Sequence, residues 1–158
     1  MSNSIPMTPG SYQKLQDELK QLVRFERQKV VQDIAEARDH GDLSENAEYD
    51  AAKDRQGLIE GRIQELNGKI AMAQVIDPAE IESEKIVFGA TVDLFDVDTE
   101  SEVTYQLVGE DEADLKIGKI SVTSPVGRAL IGHFVDDEVS IQVPGGLRMY
   151  EITNIRYE

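Results

Sequence analysis

Residues 49–73 read YDAAKDRQGLIEGRIQELNGKIAMA, and one kind of side chain returns along them at a steady interval. Tyr49, Ala52, Gln56, Ile59, Ile63, Leu66, Ile70 and Ala73 alternate spacings of three and four, with only Gln56 polar. This is the pattern of a coiled-coil seam, in which one stripe of a long helix is covered by a second helix and the remaining faces meet water. A covering helix lies upstream, where Tyr12, Leu15, Leu19, Leu22, Val30, Ile34 and Ala37 form a stripe of the same kind, interrupted by Glu26. Between Thr8 and Gln74 the only proline is Pro9, which follows Thr8 as a first-turn proline follows a capping residue.

In an antiparallel hairpin the numbers of facing residues add to a constant. Tyr12 with Ala73, Leu15 with Ile70, Leu19 with Leu66 and Leu22 with Ile63 share one constant, and Val30 with Gln56 and Ile34 with Ala52 give a value larger by one. The fold-back is therefore expected at Asp42 and Leu43. Gly41 stands where a helix ends in a left-handed residue, and Asp42 or Ser44 is expected to cap the next helix. Arms of about 30 residues make a projection of about 45 Å at the helical rise. Ala35, Ala37, Ala47, Ala51 and Ala52 slim its far end, whereas leucine and isoleucine thicken its base.

Asp77 and Pro78 are expected to stop the second arm, and the polar residues from Ala79 to Glu84 read as a linker. Beyond it come short alternating runs: Val92, Leu94 and Val97; Val103, Tyr105 and Leu107; Ile120 and Val122; Val139, Ile141 and Val143; then Met149 to Tyr157 after Pro144-Gly145-Gly146. Ser124-Pro125 opens a short helix that Gly132 ends. The fold class is thus an antiparallel coiled-coil hairpin over 1–78, with an acidic tip at 41–48, followed over 79–158 by a small α+β domain with a mostly antiparallel sheet.

Composition narrows the function. The 158 residues include no cysteine, which excludes disulfide frameworks, thiol catalysis and thiolate zinc sites. The formal net charge of -15 argues against independent binding of duplex DNA, since phosphate contacts require clustered Lys and Arg. Residues 1–77 carry 10 basic and 14 acidic side chains, a balance of -4, whereas 78–158 carry 6 and 17, a balance of -11, so two segments of different character are implied. No signal peptide or membrane span is legible, and a cytoplasmic protein is expected.

The tip reads Asp39-His40-Gly41-Asp42-Leu43-Ser44-Glu45-Asn46-Ala47-Glu48-Tyr49-Asp50. The structural reading of Asp42-x-x-Glu45 is a capping box, with acids favoured at a helix start. The functional reading is that two carboxylates on a thin projection are delivered to a metal ion inside another protein. Magnesium takes octahedral oxygen ligands and keeps its waters, so two exposed carboxylates hold it weakly unless a partner supplies the rest. Arg38, Lys53 and Arg55 lie near the tip, with Arg62 further back. They serve either as i, i+4 partners of acids or as contacts to the phosphates of one RNA strand.

The run Ala37-Arg38-Asp39-His40-Gly41-Asp42-Leu43-Ser44-Glu45-Asn46-Ala47-Glu48-Tyr49, continued by Ala51-Ala52-Lys53, closely resembles the tip signature of the Gre transcript-cleavage factors, of the GreA type. The resemblance extends through Met7-Thr8, Val75-Ile76-Asp77, Phe88-Gly89-Ala90-Thr91-Val92 and Ser124-Pro125 to Leu130-Ile131-Gly132, effectively the whole chain. It implies an FKBP-like second domain and an accessory factor, not an enzyme by itself. The implied partner is a backtracked bacterial RNA polymerase, whose secondary channel the hairpin enters. Asp42 and Glu45 match the two tip acids that help hold a second magnesium ion, shared with the polymerase, and orient the attacking water, so that the polymerase cuts the nascent RNA 3′ end. Arg38 and Lys53 match positions that contact this RNA, and Ser124 and Pro125 lie in a loop resembling the polymerase-docking surface. No cofactor of the chain's own is implied. A prolyl isomerase built on the second domain is disfavoured, because such sites are lined by aromatic residues and the chain has no tryptophan.

Overall fold

The computed structural model describes residues 4–41 and 46–158. The expected fold-back at Asp42 and Leu43, and the acids Asp42 and Glu45, lie outside the described residues. Two compact units are present: Tyr12–Ala73 forms one, and the segment ending at Ser11 joins Gln74–Glu158 in the other.

The hairpin unit has one arm made of α1 (Pro9–Gln21), a π-helical turn (Leu22–Glu26) and α2 (Arg27–Asp39), and a second arm, α3 (Ala47–Ala71). Thr8 opens the first arm as expected, its Oγ1 accepting the Ser11 N–H at 3.2 Å. The buried side chains are those of the two stripes: Leu15 and Leu66 on one side of the π-turn, Ile63 opposite its first residue, and Val30, Ile34, Ala37 and Ala52 on the other side. Val30, Ile34 and Ala52 pack as one cluster, flanked by Tyr49 and Ile59. The rest of the unit is tied by exposed or half-exposed ion pairs. Arg27 grips Glu60 with Nε at 2.7 Å and Nη2 at 2.9 Å, and Arg62 grips Glu18 with Nε at 2.6 Å and Nη2 at 2.8 Å. These guanidinium groups hold the Glu60 and Glu18 carboxyls below the usual carboxylate range.

The second arm stops earlier than its stripe suggests. Ala73, expected as the last seam residue, opens strand β2 (Ala73–Val75), which pairs with β1 (Ile5–Met7) in a two-stranded sheet. The helix thus ends at Ala71, ahead of Asp77 and Pro78, because the chain there is taken up by strand pairing. Asp77 instead caps a single 3-10 turn, Pro78–Glu80, accepting the Ala79 N–H at 3.0 Å. β1 and β2 belong with the sheet unit. The Ile76 N–H donates to the Met7 carbonyl at 2.8 Å, Thr8 Oγ1 donates to Glu112 at 2.7 Å, and a Cβ on Gly109 would stand 2.6 Å from the Pro6 carbonyl oxygen. By this division the first unit's boundaries fall at Tyr12 and Ala73, whereas the sequence places residues 1–78 in one domain.

The main sheet has five strands in the order β5-β4-β3-β7-β6, formed by β3 (Thr91–Asp96), β4 (Ser101–Val108), β5 (Lys119–Ser121), β6 (Glu138–Val143) and β7 (Gly146–Arg156). All neighbours are antiparallel except β4 and β5. This is the mostly antiparallel sheet that the alternating runs predict. Ile86, Val92, Leu94, Leu107, Leu130 and Ile152 are fully buried in one core, to which helix α4 (Pro125–Leu130) contributes. One alternating run is misread. Val97 is 44% exposed, and the inward place at the end of β3 belongs to Asp96, 3% exposed. Period two, counted from Val92 and Leu94, falls on 96 rather than 97. Asp96 tolerates this position because its carboxylate accepts from the Asp98 and Thr99 amides at 3.0 and 3.2 Å and from Arg148 at 3.0 Å. Burial raises its pKa, but these donors outweigh that effect and leave it below the ordinary value. Among the described residues no helix is long and apolar enough to cross a membrane.

Candidate nucleic-acid interface and tip

The first arm ends at the tip as the sequence predicts. His40 and Gly41 donate to the Ala37 and Arg38 carbonyls at 3.2 and 3.3 Å, and Gly41 has φ +110°, a conformation that an L side chain rarely adopts. The cap of the second arm is different from the one expected. Asn46, not Asp42 or Ser44, is the N-cap of α3, its side-chain oxygen accepting the Tyr49 N–H at 3.0 Å. The same amide group donates from Nδ2 to the Ala37 carbonyl. One side chain therefore satisfies a free donor of one helix end and a free acceptor of the other, which pins the two arm ends together. Glu48 and Asp50 supply the acidic first turn, and His40 Nδ1 lies 3.1 Å from Glu48 across the arms.

The three basic residues of the expected interface do not form one group. Arg38 and Lys53, both exposed, line the same groove with Val31, Ile34, Ala35 and Gln56. Lys53 Nζ donates to Gln56 at 3.1 Å, and among the described residues neither cation has an ion-pair partner. Arg55 lines a different groove with Asp33, Glu36, His40 and Glu48, where its Nη2 is 2.7 Å from Asp33 Oδ2. The first groove offers two positive groups over a partly apolar floor, which suits a single phosphodiester strand. In the second, acids offset the charge.

In the sheet unit, Ser124 caps α4, accepting the Gly127 N–H at 3.1 Å and donating to the Ser121 carbonyl at 2.6 Å, and Pro125 follows at the first helical position, exposed. The neighbouring Thr123 is exposed and donates to Glu110 at 2.8 Å. Asn46 is the residue that sequence reasoning missed. Its signal was present, since an Asn directly before Ala47-Glu48 with a seam residue three positions on has the form of an N-cap.

The hairpin and the small, mostly antiparallel sheet unit each match a model of one family of transcription elongation factors. The model of the transcription elongation factor N-terminal region matches residues 5–75, and that of the GreA/GreB transcription elongation factor C-terminal region matches 81–157. The chain belongs to the GreA/GreB family of transcription elongation factors. Transcription elongation factor GreA of Syntrophotalea carbinolica is 74% identical over 157 residues, covering 99% of both chains. That of Pelobacter propionicus is 65% identical over 158 residues and covers all of both. The solved structure of GreA factor homolog 1 from Thermus thermophilus is 28% identical, with 98% of this chain and 99% of that one covered, at a TM-score of 0.45.

Proposed function

We propose that the hairpin works in trans, inside RNA polymerase, and that the chain stimulates the polymerase's own cleavage of the nascent RNA 3′ end in backtracked complexes. The observation that carries this reading is the groove of Arg38 and Lys53. These two exposed cations have no ion-pair partner among the described residues and line one groove of the hairpin, one on the arm that precedes the acidic residues in sequence and one on the arm that follows them. The RNA 3′ end would lie along that groove with its phosphates on Arg38 and Lys53, and Asp42 and Glu45 would stand at its end. The cap of α3 is supplied by Asn46.

The donor chemistry suits magnesium. Asp42 and Glu45 are hard oxygen donors, and two carboxylates leave most of an octahedral shell to other ligands, which the partner would supply. A magnesium ion held there supplies charge stabilisation at the scissile phosphate and makes its bound water more acidic. The part played by this chain is to bring two negative oxygens to the place, to orient the water that they accept from, and to fix the RNA by its phosphates. Ser124 and Pro125, at the start of α4, would belong to the docking surface at the channel rim.

The test is RNA cleavage in stalled elongation complexes, with binding to polymerase measured in parallel. Asp42→Asn and Glu45→Gln should bind like the wild type, while each loses stimulation on the order of 10²-fold, the scale of removing one charge-stabilising group from a reacting centre. Arg38→Ala and Lys53→Ala should weaken stimulation, whereas Arg55→Ala should leave it intact. An equal loss of binding and stimulation in the tip variants, or no added cleavage by the wild type, would overturn the reading.

A further inference from the structure

The coiled-coil stripe of the first arm is not continuous. Carried on from Leu22 through Glu26, the alternation of three and four would next fall on Lys29, Asp33 and Glu36, all polar. The buried residues are instead Val30, Ile34 and Ala37, each one position later. The slip of one residue lies where the backbone is π-helical, Leu22–Glu26, with the Arg27 N–H donating to the Leu22 carbonyl five residues back. A π-turn takes up one more residue than an α-turn, so the extra residue is looped out there and both halves of the seam still face α3. The facing-number constant that rises by one between Leu22 and Val30 has the same origin.

Around this turn packing is thin. None of Leu22–Glu26 is buried, and Phe25 is 61% exposed. Of the buried residues of the hairpin, only Ile63 stands opposite the turn, facing its first residue, Leu22; Leu15 and Leu66 lie to one side and Val30, Ile34, Ala37 and Ala52 to the other. By the facing constants the turn lies opposite residues 59–63 of α3, which include Gly61, with Gly57 two residues before them; glycine is the weakest helix former after proline, and a Cβ on either would meet nothing within 4 Å. No neighbour therefore requires a glycine at these positions. What spans the place is the ion pair of Arg27 with Glu60, whose side chains are 40% and 41% exposed. Exposed pairs hold orientation weakly.

We infer that the hairpin has a joint at this place: the π-turn of one arm and Gly57–Gly61 of the other form a point where the distal segment, which carries Arg38, Lys53 and the tip, changes direction relative to the base. The joint combines low local stability with an intact register on both sides, so bending does not unzip the seam.

The experiment uses the free full-length protein and so stands or falls apart from the cleavage reading. Amide hydrogen exchange should be at least about tenfold faster for Leu22–Arg27 and for Gly57–Gly61 than for the flanking turns, as expected of a locally weak stretch. Deleting Phe25 removes the looped-out residue and puts the whole seam on one constant. This variant should fold, melt no lower than the wild type, and exchange at 22–27 as slowly as its neighbours. Deleting Gln32, also exposed but within α2, breaks the seam and should lower the melting point. The length-preserving pair Gly57→Ala with Gly61→Ala should slow exchange in the facing arm several-fold. The inference is overturned if the wild-type π-turn exchanges no faster than its flanks, if the two deletions melt equally low, or if the alanine pair leaves exchange unchanged.

Discussion

Asn46 touches both arms of the hairpin through one amide group, and replacing it separates two effects. Asn46→Ala removes the cap on Tyr49 and the bond to Ala37, which should lower stability by about 1–2 kcal/mol in urea titrations. Asn46→Ser keeps a capping oxygen but cannot reach Ala37, so it should recover about half of that loss. If Ser and Ala prove equal, the cap carries none of the stability. A second residue with a simple test is Tyr157, whose hydroxyl accepts the Val87 N–H at 3.0 Å and donates to the Lys85 carbonyl at 2.7 Å. Tyr157→Phe should cost about 1 kcal/mol by the same measurement, since it deletes a hydroxyl without changing the ring. A loss below a few tenths would show that water replaces these bonds freely. One part of the tip was legible at this scale: Gly41, at the end of the first arm, has the left-handed backbone that its place in the sequence predicts. The cap could not be chosen, because Asp42, Ser44 and Asn46 are all good capping residues and only the backbone decides among them. The separation of Arg55 from Arg38 and Lys53 was hidden for another reason. Which groove a long side chain enters depends on an ion pair across the arms, here with Asp33, and helical spacing alone does not specify it.

Among the elements, the long α3 and the five strands could be read almost in full, because one buried face imposes a strict period on each. What escaped were the pieces held by partners remote in sequence. β1 and β2 have three residues each, too short for a period, and they exist because they pair with one another and β1 packs beside Gly109. Gly109→Ala tests this directly. The added methyl would overlap the Pro6 carbonyl, so β1 must move, and the overpacking should cost about 1–3 kcal/mol. Amide exchange at Ile76, which donates to Met7, should quicken with it. Exchange at Ile76 unchanged from wild type would mean that β1 does not rely on this contact. The π-turn escaped for a different reason: an extra residue disturbs a heptad by a single step, and a tally of apolar positions absorbs that step without showing it.

For the molecule as a whole, pH is the clearest lever. Arg62 depresses Glu18, Arg27 depresses Glu60, Thr104 and Arg156 depress Asp93, and the Phe134 amide with His133 depresses Asp137. A carboxyl whose folded pKa lies below its unfolded one adds stability that is complete above the unfolded value and disappears as pH falls through the folded value. The urea midpoint, measured in about 0.15 M salt so that the repulsion of a net charge of -15 is screened, should be flat from pH 7 to about 5.5 and fall below about pH 4.5. A midpoint that rises between pH 5 and 3.5 would show that relief of charge repulsion outweighs the loss of these pairs. The paired strands β1 and β2 carry one more implication. The chain leaves the sheet unit after Ser11 and returns at Gln74. The hairpin is therefore a guest sequence spliced between two strands of its host, and a short turn joining them could replace it. Rods shortened or extended by whole heptads could be exchanged at that splice while the host keeps its own core.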